Sequence, residues 1–184
     1  MQFRRSDYDV TNTVRVSSAA DVRDAVQEAR EAIAIGARPD NLPAGVVFQP
    51  IARSDLRFIG PLNTLALSQE QIQQPSADNW RDVPLILSEE GLARTRIERW
   101  LKRHGIRPKI YAQVSGNEAI VSMVSLGFGI GVVPQIVLDS SPLASRIKTY
   151  EIEPPLAPYD IGLFALEKRL KEPLVSAFWN RQLG

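Results

Sequence analysis

Ser122-Met123-Val124-Ser125-Leu126-Gly127-Phe128-Gly129-Ile130-Gly131-Val132-Val133-Pro134 is the stretch that decides the fold. Its three alternating glycines superficially suggest the phosphate turn of a dinucleotide-binding unit. That turn joins a strand to a following helix, so that free amides point at a pyrophosphate. Here the order is reversed, because residues 117–126 have helical spacing and residues 130–133 are a β-branched run. Gly127 is therefore a helix stop, and Gly129 and Gly131 allow a strand to approach its neighbours closely.

Upstream of this helix and strand, Leu85-Ile86-Leu87 reads as a strand, residues 92–104 as a helix and residues 110–114 as a strand. Such alternation predicts an α/β lobe with a mostly parallel sheet. Downstream come a short helix over 134–139, strands near 146–150 and 161–165, and a closing helix over 170–181 with Leu174, Ala177 and Phe178 on one face.

Nearer the start, Val10, Val14 and Val16 form a strand ending at Ser17-Ser18, and Ala19, Val22, Ala25, Val26 and Ala29 then take helical spacing. Ser18 and Asp21 make a capping pair for that helix. Ile33-Ala34-Ile35-Gly36 reads as a short buried strand closed by Arg38-Pro39-Asp40-Asn41. Val46-Val47-Phe48 and Leu56-Arg57-Phe58-Ile59 read as strands whose closeness predicts antiparallel pairing with each other. Residues 68–82, rich in Gln, Ser, Asp and Pro, hold few groups that could fill a core and read as a crossover between two lobes.

Composition narrows the function. The 184 residues carry 22 Lys+Arg against 21 Asp+Glu, a net charge of +1, so the broad basic footprint of a nucleic-acid-binding domain is missing. The chain has no cysteine, which excludes disulfides, thiolate nucleophiles and Cys-based metal sites. Its most apolar run, residues 123–133, falls short of the ~20 residues of a membrane helix, and MQFRRSDYDV lacks the apolar core of a secretory signal. A cytoplasmic protein is the expectation.

Chemistry at a site is then sought where strands hand over to helices, since helix N-termini present free amides and a positive dipole end to small anions. Three places fit: Ser17-Ser18, Ser88-Glu89-Glu90-Gly91 and Ser115-Gly116-Asn117-Glu118. Each is open to a plainer reading as a helix cap, and Ser115 with Glu118 has capping-box spacing. Arg38 is placed either to reach a carboxylate across a cleft or as a solvated turn residue. The single histidine, His104, precedes Gly105 at a helix stop and reads as a surface cap. No Walker loop, nucleophile elbow or metal-ligand set is present, so the expectation is no enzyme, no cofactor and no metal.

The stretch from Ser122 to Pro134 resembles the LysR-type transcriptional regulators, whose effector-binding domain typically reads xxMVxxGxGIxxLP there. The likeness continues through Ala32-Ile33-Ala34-Ile35, similar to the family's ADLAI strand. Five further runs resemble the branch of the family that activates branched-chain amino-acid biosynthesis: Arg94-Thr95-Arg96-Ile97-Glu98-Arg99-Trp100, Ile110-Tyr111-Ala112, Gly116-Asn117-Glu118-Ala119, Val137-Leu138-Asp139-Ser140-Ser141-Pro142 and Lys168-Arg169-Leu170-Lys171-Glu172-Pro173-Leu174. The resemblance implies a two-lobed α/β, periplasmic-binding-protein-like (type II) effector domain. Residues 1–82 and 149–184 would form one lobe and 83–148 the other. The implied ligand is a small hydroxy or keto acid, an acetohydroxy acid such as 2-acetolactate or 2-aceto-2-hydroxybutyrate, bound in the inter-lobe cleft. The implied contacts are Ser17, Ser18, Arg38, Glu89, Glu90, Gly91, Asn117 and Glu118.

Against the family pattern, the winged helix-turn-helix has no counterpart here, so DNA would be reached only through a domain absent from this chain. The first strand and helix of the effector domain also have no counterpart, which implies an N-terminally truncated form with strands around residues 10–16 and 33–35 short of a shared neighbour. A homodimer or tetramer is implied by the family. The rival readings are a free-standing solute-binding protein, a small enzyme on the same fold using Glu89, Glu90 or Glu118, and a fragment without ligand function.

Overall fold

The computed structural model describes residues 32–63, 68, 70 and 75–181. In chain order its elements are β1 (Ala34–Ala37), β2 (Val46–Ser54), β3 (Leu56–Pro61), α1 (Ala77–Trp80), β4 (Pro84–Ser88), α2 (Leu92–Arg103) and β5 (Lys109–Val114). They continue with α3 (Asn117–Ser125), β6 (Ile130–Pro134), α4 (Gln135–Asp139), β7 (Ile147–Tyr150), β8 (Tyr159–Leu166) and α5 (Pro173–Arg181). The strand near residues 10–16, the helix after it and residues 69 and 71–74 of the predicted crossover lie outside the described residues.

The strands build two sheets. A three-stranded antiparallel sheet has the order β1-β8-β2, and a five-stranded sheet the order β5-β4-β6-β3-β7. In the larger sheet β4 runs parallel to β5 and β6, whereas β3 runs antiparallel to β6 and β7. Four of the five strands share one sense, as expected of a mostly parallel sheet, and β3 is the exception that makes it mixed. β3 arrives from the other sheet, one residue after β2, and so enters in the opposite sense, whereas β7, antiparallel to β3, keeps the sense of β4, β5 and β6.

The predicted pairing of residues 46–48 with 56–59 does not form. The residues between them are mostly strand: β2 extends to Ser54 and β3 begins at Leu56. A single intervening residue, Asp55, is too short to close a hairpin, so the chain steps directly from one sheet into the other. β2 pairs with β8, and β3 with β6 and β7.

Alternation along the three inner strands divides the core of the larger sheet. Leu56 and Phe58 of β3, Leu85 and Leu87 of β4, and Ile130 and Val132 of β6 join one cluster with Trp80, Ile97 and Trp100. Ile59, Ile86 and Val133, one step along the same strands, join the opposite cluster with Ile120, Val121 and Val124 of α3. Both faces are covered, which is why these strands read as continuous apolar runs. The three-stranded sheet contributes a smaller cluster of Val46, Phe164 and Leu166, with Phe48 packed against it.

Trp80 is one of the few groups in residues 68–82 that fill the core. Helix α1, capped by Ser76 Oγ, drives its indole edge-on against Phe58 and Trp100, and leaves it 1% exposed. Two other sequence readings also change. β1 is an edge strand with Ile35 61% exposed, because only β8 pairs with it among the described residues. Helix α5 starts at Pro173 and buries Val175, while Leu174 and Ala177 are exposed. The ring of Pro173 fixes its φ for a first helical position, so the preceding turn, Glu167–Lys171, stays a separate 3-10 segment.

The glycines of the opening stretch act as read. After α3 the Gly127 amide donates to Val124 O at 2.9 Å and the Phe128 amide to Met123 O at 3.2 Å, a paired C-terminal stop at Gly127 with φ +88°. A Cβ on Gly131 would stand 2.4 Å from Ile120 Cγ2, so only glycine lets β6 lie against α3.

Candidate functional site

Parallel pairing places Ser88, the end of β4, beside Val114, the end of β5. The turns that follow therefore stand side by side, and the Glu89 amide donates to Val114 O at 3.1 Å. Helix α2 opens at Gly91 (φ +93°) and α3 at Gly116 (φ +89°), and neither start has a side-chain cap. Positive φ explains glycine at both positions. The capping box expected between Ser115 and Glu118 is absent because Gly116 takes the cap position. Glu118 Oε2 instead folds toward Gly116, about 3.6 Å from where a Cβ would be, which sets a carboxylate over the positive end of its own helix.

Asn117 is half-buried, and Glu89, Glu90, Gly91 and Glu118 are exposed. Arg94 staples the two turns. Its guanidinium donates to Ser88 O at 3.2 Å and to Gln113 Oε1 at 2.9 Å, and pairs with Glu98.

Arg38 follows β1 on the other sheet. Its amide donates to Asp160 O at 2.7 Å, and its exposed guanidinium lies 5.7 Å from the centre of the Phe48 ring. With Leu42, Pro50 and Asp160 these two residues line a hollow of about 390 Å³. Strand registers bring this turn to the margin shared by both sheets. Ala37 lies opposite Ile161 at the start of β8, β8 begins at Tyr159 opposite Ser54, and Leu56 lies opposite Pro134 at the end of β6. Ser17 and Ser18 lie outside the described residues.

Three residues that sequence reasoning passed over occupy the same margin. Arg96 of α2, only 9% exposed, donates to Ala157 O at 2.9 Å and Pro158 O at 2.6 Å. Its guanidinium also stacks over the Tyr159 ring at 5.2 Å. Asp40, two residues after Arg38, sits 3.3 Å from Arg99 and 3.7 Å from Arg96. The phenol of Tyr159 is pushed above its ordinary pKa by burial, an effect partly offset by the Arg96 charge and a hydrogen bond with the Ala93 backbone. A signal existed for Arg96, since it falls on the buried stripe of α2 with Ala93, Ile97, Trp100 and Leu101. A cation on an apolar stripe needs a partner. For Asp40 and Tyr159 no comparable signal exists.

His104 behaves as a helix end: its Nδ1 lies 2.9 Å from Trp100 O, its ring lies tilted against Trp100, and Gly105 follows with φ +65°. Among the described residues, no cluster of His, Asp or Glu is suited to a metal, and no helix is long and apolar enough to cross a membrane.

The family described as the LysR substrate binding domain matches residues 1–182. The transcriptional activator IlvY of Haemophilus influenzae is 40% identical over 155 residues, covering 84% of this chain and 52% of that protein. IlvY of Salmonella typhimurium is 36% identical over 183 residues, covering 97% and 61%. The chain thus spans a little over half the length of these curated relatives, which are named as transcriptional activators and not as enzymes. Among solved structures, the effector-binding domain of QuiR in complex with shikimate has a TM-score of 0.71 at 23% identity, covering 91% of this chain and 77% of that one. The regulatory domain of CcmR from Synechocystis in complex with 2-PG has a TM-score of 0.75 at 18% identity, covering 93% and 81%.

Proposed function

Because the chain belongs to the LysR substrate-binding domain family, we propose that it is the effector sensor of an IlvY-like transcriptional regulator, taking a small hydroxy or keto acid at the margin between its two sheets. The observation that carries this reading is the 36–40% identity to IlvY activators across 84–97% of the chain. An acetohydroxy acid such as 2-acetolactate, and control of branched-chain amino-acid biosynthesis, follow from that likeness. DNA contact through a winged helix-turn-helix domain, self-association and a cytoplasmic location belong to the same proposal.

The site chemistry supports an acid with a hydroxyl. Arg38 offers a guanidinium for the carboxylate, and the uncapped starts of α2 and α3 offer backbone donors. Glu118, folded over Gly116, is an acceptor for a ligand hydroxyl. Shikimate, held by QuiR, is likewise a hydroxylated carboxylic acid. Switching then requires that the ligand favour one arrangement of the sheets over another, since equal affinity for both would shift nothing.

Thermal unfolding with racemic 2-acetolactate, against pyruvate and valine, tests the proposal. At 100 times its dissociation constant a true effector adds about 2.7 kcal/mol to the folded state. A selective rise in midpoint that Arg38→Gln abolishes is the expected result, and a cooperative transition unmoved by acetolactate overturns this choice of ligand.

A further inference from the structure

The turn holding Arg38 and the turn holding Gly91 belong to different sheets, yet one group of side chains spans them. Arg96 sits in the second turn of α2, and its guanidinium reaches the carbonyls of Ala157 and Pro158, the last residues before β8. It covers the ring of Tyr159, the first residue of β8, while the Tyr159 hydroxyl meets the Ala93 backbone at the start of α2. Asp40, on the Arg38 turn, completes the span through Arg99 at 3.3 Å and Arg96 at 3.7 Å. A buried guanidinium is costly unless its donors are used, and here two carbonyls, a ring and a carboxylate surround it. Its Nε finds no partner among the described residues, so the arrangement serves position rather than complete satisfaction.

We infer that Arg96, Asp40 and Tyr159 form a latch between the sheets, positioning residues that fix how far the Arg38 turn stands from the 89–91 turn. Two parts of the latch sit on segments adjoining a candidate contact: Asp40 two residues after Arg38, and Ala93 two after Gly91. Releasing it lets the Arg38 turn move relative to α2 and loosens the ends of the β1–β8 and β2–β8 ladders that meet at Tyr159 and Asp160, while the larger sheet keeps its own. The consequence for an effector rests on the function proposed above, whereas the latch itself does not.

The test is amide hydrogen exchange on the ligand-free full chain. The Arg38 amide, bonded to Asp160 O, reports the latch, and amides of β4 and β6 report the larger sheet. In Arg96→Met, exchange at Arg38 and at residues 159–160 is expected to rise about tenfold with β4 and β6 unchanged. Asp40→Asn removes an exposed carboxylate from a surface turn, so it keeps the question open should Arg96→Met fail to fold; its expected rise at Arg38 is about threefold. Equal acceleration in both sheets would make Arg96 an ordinary core residue, and unchanged exchange at Arg38 in Asp40→Asn would remove the latch. Neither result uses acetolactate, so failure here and failure of the effector reading are separate findings.

Discussion

The five-stranded and three-stranded sheets solve the same problem with unequal means. The larger is covered on both faces by two clusters that include Trp80, Trp100, Phe58, Ile86 and Ile120. The smaller rests, among the described residues, on Val46, Phe164 and Leu166, and has an edge strand with Ile35 facing outward. The larger sheet carries its own stability. The smaller depends more on what is tied to it, namely the crossings and the Arg96 contacts.

The comparison is broken most directly at Trp80. Trp80→Ala empties a site flanked by Phe58 and Trp100 and is expected to cost about 3–5 kcal/mol in urea unfolding, more than Phe48→Ala at the half-buried face of the smaller sheet. Equal costs would erase the contrast. Overpacking sharpens it: Gly131→Ala and Gly162→Ala each drive a methyl into filled space, against Ile120 and against Gln49 O, at about 1–3 kcal/mol. Gly162→Ala should speed amide exchange in β1, β2 and β8 only, whereas Gly131→Ala should loosen the larger sheet. Arg94→Met removes the donors to Ser88 O and Gln113 Oε1 and is expected to cost about 1–2 kcal/mol, with faster exchange at Glu89.

The smallest effect concerns alkaline pH. The folded pKa of Tyr159 is raised, so its contribution to stability is complete below the ordinary tyrosine pKa and is lost as pH rises through the folded value. Tyr159→Phe should flatten that loss. Tyr150, also raised by burial but within the larger sheet, leaves a residual alkaline slope. An unchanged slope in Tyr159→Phe would show that the junction does not hold this phenol.

The fold was legible where local pattern and burial agree. The run from Ser122 to Pro134 announces helix, stop and close-packed strand, and α2, β4, β5 and α4 fall within a residue or two of their expected spans. What failed was partner choice. Nothing local distinguishes a hairpin of residues 46–48 with 56–59 from a step between sheets, because pairing is decided by strands a hundred residues downstream. The candidate turns at 89–91 and 116–118 were legible as strand ends that open helices. The contacts that hold those turns were not, since Asp40, Tyr159 and the carbonyls of Ala157 and Pro158 meet Arg96 only after the chain has crossed twice.

Asp55 gives the junction an arithmetic of its own. With one residue between β2 and β3, the length of the link is also the phase of the strand that follows. An inserted residue there would turn β3 over, exchanging Leu56 and Phe58 with Ile59 between the two clusters. Deletions carry the same penalty, so the spacing of the two halves is counted in whole residues.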